Sequence, residues 1–99
     1  AAAGADWHKA AFGAILTEQA GAKSWPITGA TFILLHKSQP KPDHALQVMK
    51  FFDWSYTHGA KMAVELEYVP LPAALIKDIK TVWAEQVKDG SGKAVWTGK

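Results

Sequence analysis

Thr31-Phe32-Ile33-Leu34-Leu35-His36 is an unbroken run dominated by apolar residues and strand formers, six residues long. Gly29 stands just before it and polar residues follow it. A run this short, without alternation between apolar and polar positions, reads as a strand covered on both faces, as in a parallel or mixed sheet. A strand of that kind needs neighbours. The remaining candidates are weak: residues 12–16, 65–69 and 93–97. The run therefore asks for more protein than the 99 residues readily supply.

The helices make the same demand. Residues 43–58 carry Ala45, Val48, Met49, Phe52 and Tyr56 at spacings of a single helical face. Pro42 suits the first turn and Gly59 the C-cap, with His58 near the negative end of the helix dipole. Leu46, Phe51 and Trp54 put further large apolar groups on other faces, so this helix is expected to be covered on several sides. The aromatic set Phe51, Phe52, Trp54 and Tyr56 could stack bases or sugars, but at helical spacing it reads as core.

Residues 60–66 read as a short helical stretch with Tyr68-Val69 extended behind it. Pro72 opens a second long helix to about Lys88, with Leu75, Ile76, Ile79, Val82, Trp83 and Val87 on one stripe and Lys77, Lys80, Glu85 and Lys88 in water. Asp89-Gly90-Ser91-Gly92 is a turn, with Ala94-Val95-Trp96 packing back. Residues 6–19 suit an amphipathic helix carrying Trp7, Ala11, Phe12, Ile15 and Leu16 with Asp6 as N-cap, although Gly13 weakens it and residues 12–16 could be extended.

Composition narrows the function. Hydrophobic residues make up 48% and charged residues 20%, too apolar for a disordered segment. No apolar run approaches the length of a membrane span. All eleven basic residues are Lys, and the net charge of +2 forms no stripe, which argues against nucleic acid as a partner. The absence of Cys excludes disulfides, thiol catalysis and cysteine-ligated metals. Ala1 to Ala5 has neither a basic nor an apolar region of a signal peptide, so any export signal is expected outside these residues.

The candidate sites are sparse. Asp89-Gly90-Ser91-Gly92-Lys93 has the look of an anion-binding turn but follows a helix instead of opening one. Thr28-Gly29-Ala30-Thr31 offers two hydroxyls beside a glycine, with a bend into the strand as the simpler reading. His8, His36, His44 and His58 share no ligand spacing. Glu65 and Glu67 read as a solvated edge. No catalytic residue, metal ligand or cofactor site is expected.

Five separated blocks, in order, then carry a resemblance: Trp25-Pro26-Ile27-Thr28, Thr31-Phe32-Ile33-Leu34, Lys50-Phe51-Phe52-Asp53-Trp54, Gly59-Ala60-Lys61 and Tyr68-Val69-Pro70-Leu71-Pro72, with Trp83 behind them. From about Asp6 to Lys93 the chain resembles the C-terminal portion of the phosphate-binding proteins of phosphate ABC importers, within the type II periplasmic binding proteins. The resemblance implies an α/β fold of two lobes joined by crossing strands and closing on phosphate. Residues 1–26 would finish the second lobe, residues 27–36 would cross back as a hinge strand, and residues 37–99 would be the helical C-terminal part of the first lobe.

The family's phosphate ligands are a Thr/Ser-rich loop near the N-terminus, an Asp, and an Arg with a Ser-Gly-Thr turn. None of these motifs lies here, so Thr28 and Thr31 are the only phosphate candidates in the segment. The implied partners are inorganic phosphate, the inner-membrane permease and the preceding portion of the protein or a second chain; the implied compartment is the periplasm. The alternative is a proteolytic or split fragment that acts only through structure or self-association. A small enzyme or metal protein has nothing behind it but scattered histidines and acids.

Overall fold

The computed structural model describes residues 1–9 and 12–98 and is a helix-rich α/β segment. It divides into two compact units, Ala1–Ile33 and Leu34–Lys99.

The second unit holds the regular structure. Among the described residues its elements are β1 (Ser38–Gln39), α1 (Pro42–His58), α2 (Ala60–Glu65), α3 (Ala73–Gln86) and β2 (Lys88–Asp89). Pro42 sits in the first turn of α1, where its missing N–H costs nothing, and Asp43 adds a negative charge at the positive end of the dipole. Gly59 joins α1 to α2 with φ −82°, so it is not there for a left-handed conformation. Its reason is space: a Cβ would come within 2.6 Å of the Ser55 carbonyl oxygen, which accepts the Gly59 N–H. Pro72 is the N-cap of α3, and Pro70 and Pro72 keep the chain between α2 and α3 from continuing a helix. At the other end of α3 the Lys88 ammonium donates to the Ala84 carbonyl, 3.0 Å away, satisfying one of the orphan acceptors.

The core forms where α1, α3 and residues 95–96 meet. Ala45 and Met49 from α1 pack with Trp83, Val87, Val95 and Trp96, and Leu46, Phe52, Tyr56 and Ile79 close its margin. The aromatic geometry is specific: the Trp96 ring meets Trp83 edge to face at 5.4 Å, and Tyr56 stacks on Trp83 at 6.2 Å. Burial pushes the Tyr56 phenol above its ordinary pKa. Beyond α3, β1 and β2 pair in parallel with Ser38 opposite Lys88 and Gln39 opposite Asp89, and Ala94 bridges back to Lys88. The Val95 N–H donates to the Val87 carbonyl at 3.1 Å, drawing Val95 and Trp96 onto the helices. The stripe of Leu75, Trp83 and Val87 and the return of residues 94–96 are thus as the spacing predicts, whereas Lys80 and Lys88, expected in water, are half-buried by their bonds to Asp53 and the Ala84 carbonyl.

The first unit is mostly irregular. A 3-10 turn spans Ala2–Gly4, and the indole N–H of Trp7 donates to the Ala2 carbonyl at 2.8 Å. Trp7 and Leu16 are its buried large side chains. The Glu18 N–H donates to the Pro26 carbonyl at 3.0 Å and closes a loop.

Three sequence expectations need correction. The described part of residues 6–19 is not an amphipathic helix; Phe12 and Glu18 have φ of 55° and 54°, which a right-handed helix does not admit. Asp6 does not cap a helix but accepts the His8 N–H in a local turn, and Ala11 lies outside the described residues. The run 31–36 belongs to no strand, and instead of being covered on both faces it is mostly open, with Leu34 92% exposed and only Leu35 packed against the core. Residues 12–16, 65–69 and 93–97 supply no strand for it; only Ala94 makes a single bridge, and that is to Lys88. Without ladder partners an apolar run has no sheet to join. Finally, the aromatic set is only half core: Phe52 and Tyr56 line it, whereas Phe51 is 61% and Trp54 50% exposed. At roughly 100° per residue, Phe51 and Trp54 project from the far side of α1, and Val48, expected on the core face, lies at its edge, 40% exposed and outside the core.

Candidate functional site

The hydroxyls of the Thr28-Gly29-Ala30-Thr31 segment come first. Thr28 is half-buried and its hydroxyl donates to the Trp25 carbonyl at 3.1 Å, a local turn bond. Thr31 is exposed on the extended run. A Cβ at Gly29 would meet nothing, so no close approach demands the glycine. The bend itself lies just ahead of the two threonines, at residues 26–27.

The glycine turn after α3 is filled from within. One carboxylate oxygen of Asp89 accepts the Ser91 hydroxyl at 2.7 Å, the Ser91 N–H at 2.8 Å and the Lys93 N–H at 3.0 Å. The amides that would have cradled an external anion are therefore already committed to the turn's own anion. The Ser91 hydroxyl above all, with the two amides, holds the Asp89 carboxyl below its usual pKa. The lowered value means that the turn is favoured with Asp89 charged. That contribution is complete above the unfolded pKa of about 3.9 and is lost as pH falls through the lower folded value. Asp89→Asn, which keeps an acceptor but no charge, is expected to flatten the acid limb of the stability profile below about pH 4, read by urea unfolding at a series of pH values.

An open groove of about 620 Å³ lies between one side of α3 and the tail, lined by Ile76, Lys77, Lys80, Thr81, Trp96 and Thr97 among others. Its inner cation is engaged elsewhere, since the Lys80 ammonium pairs with the Asp53 carboxylate on α1. That pair ties α3 to α1 at the edge of the core and leaves Lys77 alone as an exposed charge in the groove. The four histidines are exposed and separate, and no cluster of three or more His, Asp or Glu able to hold a metal occurs among the described residues. Glu65 pairs along α2 with Lys61 at 4.0 Å, and Glu67 follows the helix; both are solvated. No helix among the described residues is long and apolar enough to cross a membrane.

What the second unit presents is a packed helical scaffold, with well-made polar turns and large apolar groups left on the surface. The sequence comparisons say which proteins share it. The chain is 47% identical over 97 residues to the phosphate-binding protein PstS of Pasteurella multocida, covering 97% of this chain and 28% of that protein. It is 48% identical over 89 residues to PstS of Haemophilus influenzae, covering 89% of this chain and 27% of the relative. With PstS of Xylella fastidiosa it shares 42% over 89 residues, covering 89% and 24%. No family model matches. The chain is homologous to the C-terminal part of the phosphate-binding protein PstS, and it spans about a quarter of the length of the relatives it matches.

Proposed function

We propose that this chain is the closing segment of a longer protein that captures inorganic phosphate and delivers it to an ABC-type permease, working in the periplasm. The observation that carries the reading is the 47% identity running along 97% of the chain to a protein named for phosphate binding. The segment contributes scaffold and hinge; the phosphate ligands and the lobe that closes over them lie in the rest of the protein. It is a binding component and not an enzyme, and no cofactor enters.

In this reading residues 1–26 finish one lobe, residues 27–36 cross between lobes, and residues 37–99 build helices onto the other. The division into units at Ile33 and Leu34 supports a crossing there. The open apolar run 31–36 supports it too, since its strand partners would come from the longer protein. The turn bond of Thr28, the exposure of Thr31 and the self-filled Asp89 turn support ligands located elsewhere. Hydrogen bonds and helix N-termini would then neutralise the anion without metal.

Calorimetric titration of the longer protein with inorganic phosphate tests this. Uptake of one phosphate per molecule is expected. A folded protein that shows no phosphate heat and no phosphate-dependent rise in Tm would overturn it.

A further inference from the structure

These residues contain no Asn, and of their aspartates only Asp89 precedes a glycine; Asp6, Asp43, Asp53 and Asp78 precede bulky side chains. The amide nitrogen of the residue after an aspartate can attack the side-chain carboxyl carbon and close a five-membered imide. A side chain on that next residue obstructs the attack, and glycine has none. Nothing in the fold asks for glycine at position 90. Its φ is not left-handed, unlike that of Gly92 at 86°, and a Cβ there would meet nothing. Gly90 and Ser91 are exposed.

We propose that Asp89-Gly90 is a modification site where the main chain rearranges to isoaspartate, and that the hydrogen bonds of the turn hold this rearrangement off while the protein is folded. In the first step the Gly90 nitrogen bonds to the Asp89 side-chain carboxyl carbon. The amide proton and the hydroxyl of the protonated carboxyl leave as water. In the second step water adds to the imide at the original main-chain carbonyl carbon of Asp89, and the bond from that carbon to the Gly90 nitrogen breaks. The main chain then runs through the former side chain. No oxidant, reductant or cofactor is consumed.

The folded turn opposes the first step at both reacting ends. One Asp89 carboxylate oxygen is fixed by the Ser91 hydroxyl, the Ser91 N–H and the Lys93 N–H. The Asp89 main chain is pinned too: its N–H donates to the Lys93 carbonyl at 2.9 Å, and its carbonyl accepts the Gly92 N–H at 3.1 Å. Ring closure turns both groups, so it waits for local opening. The same bonds keep the carboxyl ionised, the form that has no hydroxyl to lose. Once formed, isoaspartate adds a methylene to the main chain and takes the acceptor away from Ser91 and Lys93. This turn brings Val95 and Trp96 back to the core, so the rearranged protein loses the anchor of its tail.

The full-length protein is aged in neutral buffer beside a synthetic peptide of residues 87–95, which serves as the unfolded reference. The peptide bearing Asp89 is then read by chromatography and electron-transfer fragmentation, which separates aspartyl from isoaspartyl. Isoaspartate at Asp89 is expected to accumulate at least about tenfold more slowly in the folded protein than in the peptide. Ser91→Ala should raise the folded rate roughly threefold or more, and Ser91→Thr, which keeps the hydroxyl, should leave it low. Gly90→Ala should slow the reaction in the peptide. The isolated isoaspartyl protein should unfold at lower urea concentration than the unaged protein. Equal rates in folded protein and peptide, or no isoaspartate in the peptide, would overturn the proposal.

Discussion

Trp83→Ala is expected to cost about 3–5 kcal/mol of stability, read from urea unfolding followed by circular dichroism so that the lost indole does not confound the signal. Trp83 is buried on α3 and holds two aromatic contacts at once, the edge-to-face meeting with Trp96 and the stack with Tyr56. Truncation removes the burial of a large ring and leaves a cavity that a tail fixed by the Val95–Val87 hydrogen bond and the Lys88–Ala94 bridge closes only in part. Trp83→Phe separates the terms. It keeps most of the apolar area and an aromatic edge for Trp96, and should recover more than half of the loss. A result below about 1 kcal/mol for Trp83→Ala would mean that the tail does not pack on α3 as described.

Met49 comes next. It is the one side chain among the described residues that is large and wholly buried, with 0% exposure, where α1 meets α3 and the tail. Met49→Ala is expected to cost about 2–5 kcal/mol, whereas the nearly volume-conserving Met49→Leu should cost less than about 1.5 kcal/mol. The contrast matters more than either value. Equal small effects would place Met49 at a surface, and equal large effects would assign it a role beyond filling space. The same unfolding assay reads both.

These two residues also show how far the sequence could be read. Met49 and Trp83 each sit at the centre of a period of three and four, and that periodicity alone places α1, α3 and the residues that join them. Asp89-Gly90-Ser91-Gly92 is legible because each residue type favours a turn. The run 31–36 and residues 6–19 mislead for different reasons. The first has the residues of a covered strand, but its coverage is a long-range property that no local pattern can supply, and no described segment pairs with it. The second combines helical spacing with a glycine and an aspartate that binds its own backbone; two positive φ angles then break any helix.

The site was legible mainly by subtraction. The Arg and Ser-Gly-Thr turn that the resemblance implies as ligands are missing from these residues, and the glycine turn follows a helix instead of opening one. The three hydrogen bonds that fill the Asp89 turn with its own carboxylate are the part that only the structure supplies. The exposed Phe51 and Trp54 face was visible as excess apolar circumference, but not which part of it the segment itself would cover.

The central claim is that these residues carry the scaffold of a phosphate-capturing protein and none of its ligands. Phosphate calorimetry on the full-length protein with Thr28→Val and Thr31→Val together tests it most directly, since these are the segment's only candidate ligands. The account predicts one phosphate per molecule with a Kd unchanged within about twofold. Weakening by tenfold or more, about 1.4 kcal/mol of binding free energy, in a variant that unfolds like the unsubstituted protein would contradict it.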